Sequence, residues 1–88
     1  MLFRKKEYTG WIKSETCWVV ETPSRKAPII GIIIQKAAIT VKDVGKGWAE
    51  IVIAPVRSLK KGEDGKLIEG KGLYIERRCI TKKPPYKW

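Results

Sequence analysis

Hydrophobic positions along this chain fall into short runs broken by Gly, Pro or charged clusters, and most runs alternate with polar residues at the period of a β-strand. Residues 8–13 form the first run and 17–21 the second, with the polar Ser14-Glu15-Thr16 between them, which gives two strands or one bent strand. Thr22-Pro23-Ser24-Arg25-Lys26 is a loop by composition. The longest apolar stretch, 27–34, passes through Ala37-Ala38 into the alternating Ile39-Thr40-Val41-Lys42. That pattern predicts one long strand over 28–42 in which Gly31 permits a bend or bulge. After the turn Asp43-Val44-Gly45-Lys46-Gly47, a returning strand over 48–54 places Ala49, Ile51 and Ile53 on one face and Trp48, Glu50 and Val52 on the other.

Pro55 ends that strand, and 56–65 reads as a charged connection whose Asp64-Gly65 favours a tight turn, with room for one short helix over 58–61. Leu67-Ile68 begins a short strand and 73–80 a longer final one. The successive prolines Pro84 and Pro85 remove backbone donors and favour polyproline conformation, so 82–88 is expected as an extended basic tail outside the core. No internal repeat or heptad is present. The expected architecture is therefore all-β: a single domain over 1–81, built as a small antiparallel five-stranded barrel of OB or SH3-like type, with a flatter α+β sheet as the competing arrangement. With 88 residues there is room for one domain only, whose core buries roughly 60% of the unfolded chain's surface.

Charge changes this picture more than any motif. Nineteen Lys and Arg against nine Asp and Glu give a formal +10, while 43% hydrophobic residues argue against disorder of the whole chain. The excess is uneven: net +3 over 1–26, +1 over 27–56 and +6 over 57–88. Such a surplus repels itself in the compact state and persists most readily beside a polyanion. Asn and His are absent while Ile, Lys and Glu abound, a bias that suggests a thermophilic source.

Met1-Leu2-Phe3 is followed at once by Arg4-Lys5-Lys6, which does not resemble an export signal, and the apolar stretch 27–34 is far shorter than a membrane span; a cytoplasmic protein without a membrane partner is expected. Cys17 and Cys79 are too few and too distant in sequence for a zinc cluster. They read as two buried thiols, or as one disulfide joining the first and last strands. Without histidine no Ser-His or Cys-His arrangement can form, and Asp43, Asp64, Glu50 and Glu76 are accounted for by turns and cross-strand pairing. Neither catalysis nor a cofactor is expected.

The positive signal is cationic groups interleaved with aromatics, because Lys and Arg neutralise phosphates while flat rings stack on exposed bases. Trp18 and Trp48 are expected in the core, whereas Trp11, on a mixed face with Thr9 and Lys13, and Tyr74, beside Glu76 and Arg78, are stacking candidates. Arg77 and Arg78, on opposite faces of a strand, are both placed to fork phosphate oxygens near its end. Arg4, Lys5, Lys6, Arg25, Lys26, Lys60, Lys61, Lys82 and Lys83 cluster at termini and loops, and Tyr86, Lys87 and Trp88 complete an arm like those that small ribosomal proteins thread into folded RNA. These residues predict a non-catalytic nucleic-acid-binding protein, RNA favoured over DNA, as a ribonucleoprotein component. The rivals are a DNA-binding or chromatin-type protein of a thermophile or its virus, and a protein-interaction module such as an assembly subunit, viral structural protein or inhibitor.

Overall fold

The computed structural model describes residues 6–62 and 64–87. Its backbone is governed by one long hairpin. Strands β1 (Glu7–Ile12) and β2 (Thr16–Val20) run antiparallel to β4 (Ala38–Gly45) and β3 (Ile29–Ile34) respectively, with Glu7 opposite Lys42 at one end and Val20 opposite Ile29 at the other. Both arms bend at the same level, at Lys13-Ser14-Glu15 and at Gln35-Lys36-Ala37, where Lys36 adopts a left-handed φ of 73°. The single long strand expected over 28–42 is thus two strands, and its corner lies at Lys36 rather than Gly31.

Gly31 serves close approach instead. A β-carbon there would lie 2.6 Å from Val56 Cγ1 and 2.9 Å from the Arg57 carbonyl oxygen, so its absence lets β6 (Pro55–Ser58) pair tightly against β3. The bulge sits next to it, between the Val19–Gly31 and Val20–Ile29 pairs. Beyond β6, a turn leads to β7 (Leu67–Glu69). The helix expected over 58–61 does not form: Ser58, fully buried, ends β6, and its hydroxyl accepts the backbone N–H of Lys60 to start a turn.

On the other side β4 turns into β5 (Trp48–Ile53), which pairs with β8 (Tyr74–Glu76). The final strand expected over 73–80 is interrupted by a 3-10 turn, Arg77–Cys79, before β9 (Ile80–Thr81) pairs with β1. A continuous strand would have sent one of two adjacent arginines inward. The 3-10 turn leaves Arg77 and Arg78 exposed and buries Cys79.

All nine strands belong to one antiparallel sheet in the order β7-β6-β3-β2-β8-β5-β4-β1-β9. Bends divide the 28–42 and 73–80 runs into two strands each, β6 forms where Pro55 was expected to end a strand and 56–65 to be a charged connection, and the nine-stranded sheet is not closed into the expected five-stranded barrel. It curls around a single core of Ile12, Val19, Ile33, Ile39, Val41, Ala49, Ile51, Val56 and Ile75, joined by both thiols. Trp18 and Trp48, both expected in the core, lie outside it, and so does Ile53, expected to share a face with the buried Ala49 and Ile51. A register shift between Thr40–Ile53 and Val41–Ile51 leaves Val52 as an extra residue and turns Ile53 outward, 69% exposed. Trp18 stands on the outer face of β2 between the inward Cys17 and Val19, 51% exposed. The tail does not run straight outward: Pro84 and Pro85 are half-buried and Pro85–Lys87 forms a second 3-10 turn.

Candidate nucleic-acid interface

Two features of the turns bring the cations together. The β4–β5 hairpin closes through Lys46 and Gly47 with φ of 56° and 84°, the mirror-image turn whose twist matches paired strands. Asp43 accepts the Gly45 N–H at 2.8 Å, fixing the approach to that turn. The Arg77 N–H then donates to the Gly47 carbonyl at 2.8 Å, tying the 3-10 turn to the hairpin tip.

Between these turns lies a groove of about 470 Å³, comparable with pockets that hold a small organic ligand. Lys13 enters from the bend after β1, Arg25 from the β2–β3 loop, Lys46 and Trp48 from the hairpin tip, and Glu76, Arg77 and Arg78 from β8 and the 3-10 turn, with Ile80 also lining it. Arg25 Nε lies 3.0 Å from Glu76 Oε1, and Arg78 Nη2 lies 3.1 Å from Glu76 Oε2, so one carboxylate holds two guanidinium groups. Arg77 Nη1 meets Asp43 Oδ2 at 2.7 Å. These exposed pairs contribute about 0–1 kcal/mol each to stability. Their larger consequence is positional, since they hold the forks of long side chains at the groove while Lys13 and Lys46 add further positive charge.

A smaller cavity of about 210 Å³ adjoins the groove through Arg77 and Ile80 and is also lined by Tyr8, Asp43 and Lys82. Lys82 Nζ stands 4.7 Å from the Tyr8 ring centre, a cation–π contact. Burial and the Asp43 charge push the Tyr8 hydroxyl pKa up, partly opposed by Arg77, so the ring is a neutral donor. Cys79 lies beneath the arginines. Hydrogen bonding from Cys17 draws its pKa down to about 6, with help from Ser14 and Arg78, against burial and Glu76. Cys17 is pushed the other way by the same hydrogen bond and by burial. Both thiols are free, and among the described residues no three His, Cys, Asp or Glu gather as a metal site.

Of the residues expected to bind, the structure gathers Lys13, Arg25, Arg77 and Arg78 in the groove and Lys82 beside it. Lys6, Lys26 and Lys83 are exposed outside it, and Tyr86 is 80% exposed on the tail. Lys60 and Lys61 follow β6, near the opposite end of the strand order. Trp11 is half-buried on β1 between Ala38 and Thr81, and Tyr74 half-buried on β8 between Val20 and Glu50. Arg4, Lys5 and Trp88 lie outside the described residues, as does the side chain of Lys87. Sequence reasoning missed Lys46 and Trp48. A lone lysine between two glycines carried no cluster signal, and Trp48 was assigned to the core although it shares its strand face with Glu50.

No protein-family model, curated protein or solved structure shows significant similarity to the chain. Among the described residues no helix is long and apolar enough to cross a membrane.

Proposed function

We propose that this chain is a non-catalytic nucleic-acid-binding protein of the cytoplasm, a curled β domain of OB or SH3-like kind that binds structured RNA through phosphate contacts as a component of a ribonucleoprotein such as the ribosome. The observation that carries this reading is the convergence of Lys13, Arg25, Lys46, Arg77 and Arg78 on one groove with Trp48 in its lining. Those five cations face two carboxylates, Glu76 and Asp43, that the arginines already engage. Guanidinium forks match phosphate oxygens, lysines act as point charges, and an indole offers a face to an unpaired base. A concave, irregular groove with a basic tail beginning beside it suits the uneven surface of folded RNA better than a regular duplex.

Tryptophan fluorescence titration with folded ribosomal RNA, single-stranded DNA and duplex DNA at several salt concentrations tests the reading. RNA is expected to bind most tightly, with log affinity falling linearly in log salt. Preference for DNA would replace it with the DNA-binding or chromatin-type reading. Absence of salt-dependent binding to all three would replace it with a protein-interaction module.

A further inference from the structure

Outside the groove the sheet carries an apolar surface row. On the outer face of β2, β3, β6 and β7 the register sets Trp18 opposite Ile32, Ile32 opposite Arg57 and Arg57 opposite Leu67, one outward row across four strands. Trp18 is 51%, Leu67 61% and the neighbouring Ile34 50% exposed. Single exposed apolar residues need no explanation, but a contiguous row on a chain with so small a core does.

Neighbouring strands, β2 and β8, link the row to the groove. Val20 of β2 pairs with Tyr74 of β8, and Glu76, two residues further along β8, lines the groove with its cross-strand neighbour Trp48. Arg25 and Arg78 are both held on Glu76, whose strand is the neighbour of the one that carries Trp18. From Trp18 to Leu67 three interstrand steps cover about 14 Å, enough for about two bases laid on a sheet.

We propose that this row is a base-stacking platform, so that the groove's ligand is a single-stranded stretch of RNA that continues onto the sheet face. Arg25, Arg78 and Arg57 take phosphates, Trp18 stacks on a base, and Ile32 and Leu67 pack against the next. This rests on the nucleic-acid reading above. Arg57 decides between occupants. It lies in the middle of the apolar row, donates one long hydrogen bond of 3.4 Å to the Gly65 carbonyl, and has no carboxylate within ion-pair distance among the described residues. A partner that covered the row with apolar surface alone would bury that guanidinium without a counter-charge, whereas a nucleic acid brings one.

The test measures binding of a short oligouridylate, the same strand paired in a duplex, and inorganic polyphosphate to the wild-type chain, Trp18→Ala and Trp18→Phe. Because Trp18 is exposed, alanine leaves the core intact, and matching circular dichroism and melting curves verify it. The wild type is expected to prefer the single strand to the duplex. Trp18→Ala should lose roughly tenfold affinity for oligouridylate and none for polyphosphate, with Trp18→Phe close to wild type. Unchanged oligouridylate binding by Trp18→Ala, with salt-dependent binding of both ligands retained, overturns the platform and leaves the nucleic-acid reading standing. If the wild type binds neither ligand, both fail. A wild-type dimer in sedimentation that Trp18→Ala dissociates would make the row an interface between copies, and overturn the platform equally.

Discussion

At the scale of single residues, the chemistry is concentrated around Cys79. It occupies the buried end of the turn that displays Arg77 and Arg78, where hydrogen bonding from Cys17 and Ser14 draws its pKa down while that of Cys17 is pushed up. The folded pair keeps one proton and releases the other near pH 6, whereas two unfolded thiols release both near their ordinary value of 9.0. The folded state thus binds fewer protons than the unfolded between these values and more above them. This pair's contribution to stability rises with pH from about 6 to 9.0 and declines beyond. Alkylation with iodoacetamide, read by peptide mass spectrometry, should modify Cys79 before Cys17, with a rate that rises through about pH 6. Modification of Cys17 first would contradict this assignment.

Among the elements, the hairpin tip places a cation in the groove at a cost in backbone conformation. Lys46 sits at φ 56°, a conformation in which a residue with a side chain costs about 1–2 kcal/mol and glycine very little. The lysine there lines the groove. Lys46→Gly should therefore stabilise the fold by about 1 kcal/mol, a rise in melting temperature of about 4–8 °C by calorimetry, while weakening RNA binding. Unchanged RNA affinity would remove Lys46 from the interface. The elements also show what periodicity conveys. The 48–54 strand and its preceding turn were legible because alternation and glycines are local signals. The bulge at Val52, the corner at Lys36 and the 3-10 turn at Arg77–Cys79 were not, because each resolves a conflict between local alternation and the curvature needed to wrap one sheet around one core.

Across the whole molecule, a +10 charge on 88 residues was legible from composition, and so was its concentration toward the ends of the chain. The convergence was not. Lys13, Arg25, Lys46 and Arg77-Arg78 come from four separated segments, and only the bent hairpin and the 3-10 turn bring them to one groove. The sequence clusters Lys60-Lys61 and Lys82-Lys83 carried equal signal, yet the first lies toward the other end of the sheet. Charge density along a chain reports that a polyanion is favoured, and tertiary structure decides which cations act together.

The most direct test of the central claim is the salt dependence of RNA affinity for the wild-type chain against Arg77→Ala combined with Arg78→Ala. Removing one cation that neutralises a phosphate lowers the magnitude of the slope of log affinity against log salt by about 0.7–0.9. The double variant should bind more weakly and flatten the slope by about 1.5, while alanine at both Lys60 and Lys61 should change it by less than half as much. Equal slopes for the wild type and the arginine variant would contradict the groove as the phosphate-binding surface.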